Sequence, residues 1–102
     1  MAQGTKILTA SGEIASASSS AKIGVFVLSI TQGTGSSTVR IRDNNISGTI
    51  IWEEVMATGT HRVITFNSPN PLKGEAGAPL YCEITSTGTS VSILYTNSIQ
   101  GD

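Results

Sequence analysis

Ile23-Gly24-Val25-Phe26-Val27-Leu28-Ser29-Ile30 is the stretch on which the fold turns. It is far shorter than the roughly 20 apolar residues that span a bilayer, and its Ile and Val side chains suit a pleated sheet. Both alternating sets are largely apolar: Ile23, Val25 and Val27 on one side, Phe26, Leu28 and Ile30 on the other. A strand of regular alternation with two apolar faces is covered on both. The cover comes either from the chain's own loops or from another subunit.

Further strand candidates flank this segment: Gly4 to Thr9, Ile23 to Thr31 itself, Thr38 to Asp43, Thr49 to Glu54, His61 to Phe66, Pro79 to Ser86, and Ser90 to Thr96. Twelve Ile and six Val against five Leu favour strands, and no window supports a long helix. Turn signals separate the candidates at Gln32-Gly33-Thr34-Gly35, Asn44-Asn45, Thr58-Gly59-Thr60 and Thr87-Gly88-Thr89. Val39 and Ile41 alternate with Arg40 and Arg42; Leu80, Cys82 and Ile84 alternate with Tyr81, Glu83 and Thr85. These strands have one wet face. The expected fold is all-β, a compact antiparallel β-sandwich or jelly-roll-like single domain of about seven to eight strands.

Two segments break the rhythm. Ser11 to Ala21 is mostly Ser and Ala, which reads as a loop or as an arm that orders on a partner. Residues 1–21 are accordingly expected to form an extended N-terminal arm, or an edge strand plus a Ser/Ala-rich loop, ahead of a sandwich over 22–102. Asn67 to Pro79 carries all three prolines and cannot continue a central ladder; it is either a contact loop or a plain crossover.

Of 102 residues, 38 are Ser, Thr or Gly, and only 13% are charged, with a net charge of −1. Typical soluble chains carry roughly 25% charge. So even a balance argues against a phosphate-binding groove, and no nucleic-acid or membrane partner is expected. The single Cys82 allows neither an internal disulfide nor a structural zinc site. The first residues lack the apolar core of a secretory signal, which predicts a chain made in the cytoplasm. Asn45-Ile46-Ser47 matches a glycosylation acceptor in form only.

Chemistry is hard to find. His61 is the only histidine and has no ligand at metal spacing; Asp43-Asn44-Asn45 lacks the rest of a calcium loop. Glu53 and Glu54 are adjacent, so on a strand they face opposite sides and cannot flank one glycosidic bond. Glu53 with Glu83 is a possible pair that nothing in the sequence brings together. Cys82, in phase with Leu80 and Ile84, reads as a core thiol, and Gly33-Thr34-Gly35 as a hairpin turn. Trp52 shares a face with Ile50 on a regular strand, which favours its burial. No catalytic, cofactor-binding or metal residue is expected, and no enzyme.

From about Ser37 to Thr96, the run Thr38-Val39-Arg40-Ile41-Arg42-Asp43, then Gly48-Thr49-Ile50-Ile51-Trp52, then His61-Arg62-Val63-Ile64-Thr65-Phe66, Pro79-Leu80-Tyr81-Cys82-Glu83-Ile84-Thr85 and Val91-Ser92-Ile93-Leu94-Tyr95 resembles small all-β virion proteins of tailed bacteriophages. The resemblance implies decoration or cementing of the capsid exterior, commonly as a homotrimer, with the major capsid protein as partner and the virion surface as location. The strand apolar on both faces adds an expected subunit interface at Ile23, Val25, Phe26, Leu28 and Ile30, and the composition of 1–21, which the resemblance does not cover, an expected capsid-binding arm. The alternative is a receptor- or glycan-binding module of a fibre or tail, using Trp52, Tyr81 and Tyr95.

Overall fold

The computed structural model describes residues 3–15, 22–66, 71–75 and 77–99. They form nine strands: β1 (Gln3–Leu8), β2 (Gly12–Ala15), β3 (Lys22–Gln32), β4 (Ser37–Asp43), β5 (Ile50–Met56), β6 (His61–Thr65), β7 (Leu72–Lys73), β8 (Leu80–Ile84) and β9 (Thr89–Ile99). One antiparallel sheet, sheet A, has the order β1-β9-β3-β6, with β7 also on β3. The second, sheet B, has the order β2-β8-β4-β5. This is a jelly-roll arrangement of two facing sheets, as the sequence leads one to expect, with the two-residue β7 added.

The two apolar sets of β3 have a local cause. Val25 pairs with Tyr95 and Val27 with Leu94, so Phe26 is an extra residue with no partner of its own in β9. Such a bulge reverses the phase of the strand beyond it. Ile23 and Val25 before the bulge, and Leu28 and Ile30 after it, therefore all point into the sandwich and are fully buried. Val27 and Ser29 lie on the outer face. One face is dry, not two.

Across from β3, Val91 and Ile93 of β9 complete the sheet A layer of the core. Val39 and Ile41 of β4, Met56 of β5, and Leu80, Cys82 and Ile84 of β8 supply the opposing layer. The alternation expected for β4 and β8 is observed.

The loops also differ from expectation. Residues 33–36, 57–60 and 85–88 each join strands of different sheets, so Gly33-Thr34-Gly35 is a crossover and not a hairpin. Among the described residues, β4 and β5 are the pair joined by a hairpin within one sheet, and Asn44 adopts a positive φ of 76° there. Gly48 closes the same turn: a Cβ on it would lie 1.6 Å from the Asp43 carbonyl oxygen.

Residues 3–15 are not a free arm. β1 pairs with β9 along its length, and β2 pairs with β8 and sends Ile14 into the core. Ser11 Oγ accepts from the Ile84 N–H at 2.8 Å and donates to its carbonyl at 3.2 Å. The composition hides this because a single buried Ile is enough to seat a four-residue edge strand. Residues 16–21 lie outside the described residues, as do 67–70 of the Pro-bearing segment. In that segment Leu72 and Lys73 pair with β3, and the Gly74 N–H donates to the Ile23 carbonyl at 3.0 Å.

Deleting Phe26 removes the extra residue and leaves Ile23, Val25, Leu28 and Ile30 in strict alternation on one face, with Val25 still opposite Tyr95 and Val27 opposite Leu94. The deletion is therefore expected to keep a cooperative urea transition, and its loss would contradict the register; Phe26→Ala, which keeps the bulge, should cost about 1–2 kcal/mol. Leu28→Ala should cost about 2–5 kcal/mol in the same assay.

Candidate functional site

Sheet B carries Arg40, Arg42, Glu53 and Glu83 on its outer face, in contact with one another. Arg40 bonds Glu53 on the neighbouring strand and reaches Glu83 at 3.3 Å; Arg42 Nε donates to Glu83 at 2.7 Å and its Nη1 to the Gly48 carbonyl at 2.8 Å. The fold thus brings Glu53 and Glu83 to one guanidinium, a juxtaposition that sequence spacing does not reveal. With two arginines between and beside them, these carboxylates form an ion ladder rather than an acid/base pair. The hydrogen bond from Arg42 holds the Glu83 carboxyl below its usual range, against the opposing effect of desolvation, and Arg40 adds to the lowering.

Glu54 and Arg62 form another pair, at 2.6 Å. Glu54 lies opposite Val39, and Arg62 opposite Ile30, so both sit at core-facing positions of edge strands in different sheets. An inward charge on an edge strand discourages further strand pairing, and here two such charges close the seam between sheets. Glu53 and Glu54 face opposite sides, as strand geometry requires.

The outer face of sheet A is different. Residues opposite one another on neighbouring strands share a face, so the registers place Ile7, Ser92, Ser29 and Val63 in one row across β1, β9, β3 and β6. Thr5, Leu94, Val27 and Thr65 make the adjacent row, and Ser90, Thr31 and His61 the next. Thr31 Oγ1 and His61 Nδ1 are 2.8 Å apart. None of these residues is an acid, lysine or arginine. The charge on this side lies beyond the bulge, at Lys73, opposite Gly24, and at Lys22, in phase with Gly24 on β3. Ile7, Val63 and Leu94 are 66%, 58% and 36% exposed.

The interface residues expected from sequence divide accordingly. Ile23, Val25, Leu28 and Ile30 are fully buried in the chain's own core and cannot touch a neighbour; Phe26 alone of that set is half-buried. The bulge is what displaces the others from the outer face. The aromatic set does not converge either. Trp52 packs against the core opposite Ile41, while Tyr81 lies on the outer face of sheet B between Glu13 and Arg42. A second bulge, at Ile51, separates Trp52 from Ile50, so the two do not share a face and Ile50 is exposed. Tyr95 lies over Gly4 in sheet A, so close that a Cβ on Gly4 would meet its hydroxyl at 2.8 Å. No platform for a sugar ring results. The described residues form no pocket.

Gln32 is a residue the sequence does not single out. Its buried Nε2 lies 2.9, 3.3 and 3.4 Å from the carbonyls of Thr34, Gly35 and Thr87, and its Oε1 accepts from Thr89 Oγ1. Its backbone accepts from the Gly59 N–H and donates to the Thr60 carbonyl, both at 2.9 Å. One side chain and its peptide tie three crossovers together. Gln32→Glu replaces the donor with an oxygen facing carbonyls, and should cost about 2–4 kcal/mol in urea unfolding. Because the Glu83 carboxyl is held low in the folded state, its contribution is complete above the unfolded value near pH 4 and is lost as pH falls through the folded one. The stability gap between wild type and Glu83→Gln should therefore shrink on acidification below about pH 4; a gap independent of pH would show that the ladder does not act through the carboxylate.

No protein-family model and no curated relative matches the sequence. A solved structure described as "Bacillus endospore appendages form a novel family of disulfide-linked pili" is similar to this chain with a TM-score of 0.51 and 16% identity, over 97% of this chain and 88% of that one. At that identity the likeness is one of fold: an all-β sandwich.

Proposed function

We propose that this chain is a non-enzymatic structural subunit that assembles with copies of itself. The observation that carries the reading is the partition of charge: ion pairs occupy the outer face of sheet B and the β5/β6 seam, while the rows across sheet A hold only hydroxyl, aliphatic and imidazole groups. Interface cores are depleted of charge, and a face of this kind sheds water at little electrostatic cost. The similar structure, whose description is of a family of disulfide-linked pili, supports a self-assembling role. The finer reading is capsid decoration on a phage virion through the major capsid protein, and it rests on the strand-and-turn pattern from Ser37 to Thr96.

Assembly here is non-covalent. The pili of the similar structure are described as disulfide-linked, whereas this chain has one cysteine, and Cys82 is buried between Leu80 and Ile84. Burial, helped by the neighbouring Glu83, pushes its thiol up to about 12. A protonated core thiol neither attacks nor pairs.

Light scattering of the purified chain should show an oligomer whose mass is the same with and without reductant; a monomer at all accessible concentrations contradicts self-assembly. Added to capsids that lack a decoration protein, the chain should bind and raise the temperature at which they release their contents. Absence of binding with an intact oligomer would reject the capsid as partner while leaving self-assembly standing.

A further inference from the structure

The charge-free rows of sheet A have a size pattern as well as a polarity. Across β1, β9, β3 and β6 the first row reads large, small, small, large: Ile7, Ser92, Ser29, Val63. The row beside it, Thr5, Leu94, Val27, Thr65, has its largest side chain at Leu94, on β9. On β1, β9 and β3 a larger side chain in one row stands beside a smaller one in the other, Ile7 by Thr5, Leu94 by Ser92 and Val27 by Ser29; on β6 Val63 and Thr65 are alike in shape.

This pattern selects a symmetry. A two-fold axis lying in the plane of the face, perpendicular to the strands and midway between the rows, carries one row onto the other while keeping every strand over itself. Ile7 of one copy then meets Thr5 of the second, Leu94 meets Ser92, Val27 meets Ser29, and Val63 meets Thr65. Three columns place a larger side chain over a smaller one, the arrangement by which packed layers interdigitate, and the fourth sets Val63 on Thr65, which are alike in shape. A two-fold axis parallel to the strands would instead set Ile7 on Val63 and Ser92 on Ser29, giving clashes and voids in one row.

Size also suffices. The fold measures 40 × 26 × 17 Å, so a broad face offers on the order of 1,000 Å², against the roughly 800 Å² per partner of a standard interface. From these observations we infer that the outer face of sheet A stacks on the same face of a second copy, about the two-fold axis perpendicular to its strands. The inference rests on the self-assembly reading and adds the surface, the partner and the symmetry. It differs from the trimer that the phage resemblance implies, because a face-to-face isologous contact closes at two.

The test exchanges knob and hollow on β9. Sedimentation equilibrium of wild type should give a dimer or an even-numbered multiple. Leu94→Ser removes the knob and Ser92→Leu sets knob on knob, and each should weaken the dimer at least about tenfold. The double variant Leu94→Ser/Ser92→Leu inverts the two positions on the same strand and should return to within about threefold of wild type, because the axis carries one position onto the other. Val55→Glu, on the exposed outer face of sheet B, should leave dimerisation unchanged. A wild-type oligomer unaffected by either single exchange overturns the face while leaving self-assembly standing. Single exchanges that weaken it with no recovery in the double overturn the axis. A monomeric wild type overturns self-assembly and the face together.

Discussion

The register step at Phe26 sets what the rest of the structure can be. β3 is the one strand of sheet A that pairs with β9 on one side and with both β6 and β7 on the other. Laid out in strict alternation with Phe26 in the ladder, the same residues would turn half of their large side chains away from β4 and β8. With the bulge, two aliphatic residues on each side of it join a single core, and the outer face is left to Val27, Ser29 and Thr31. The same step creates the uncharged surface: it moves the bulk of Ile23-to-Ile30 inward and leaves small residues where a neighbouring sheet can approach.

Charge is distributed to match. Arg40, Arg42, Glu53 and Glu83 neutralise one another on sheet B, and the Glu54–Arg62 pair guards the seam between β5 and β6. Exposed pairs of this kind contribute little to stability, typically below about 1 kcal/mol. Their effect is on which surfaces can associate. A sheet face covered by ion pairs is costly to dehydrate, so association is directed to the other side of the sandwich. Gln32 serves the same end from the core, fixing three crossovers at one end of the molecule and holding the two sheets in one relative position.

Much of this was legible in the residues. Val39 and Ile41 against Arg40 and Arg42, and Leu80, Cys82 and Ile84 against Tyr81, Glu83 and Thr85, show their faces by alternation alone, because those strands have no interruption between the residues concerned. The two bulges were not legible. An inserted residue such as Phe26 or Ile51 is itself a good strand former, so propensity cannot mark it, and alternation then misassigns everything beyond it. That is why Ile23, Val25, Leu28 and Ile30 read as two faces, and why Trp52 and Ile50 read as one. β2 escaped notice because Ile14 stands alone among small residues. The row pattern of sheet A requires cross-strand register, which no single segment contains.

The account makes the outer face of sheet A the surface that assembly covers. Hydroxyl-radical footprinting of the chain at high and low concentration, above and below its dissociation midpoint, tests this most directly. Assembly should protect Ile7, Val63 and Leu94 while leaving Val55 and Ile50 on sheet B as reactive as before. Protection of Val55 and Ile50, with Ile7, Val63 and Leu94 unchanged, would contradict it.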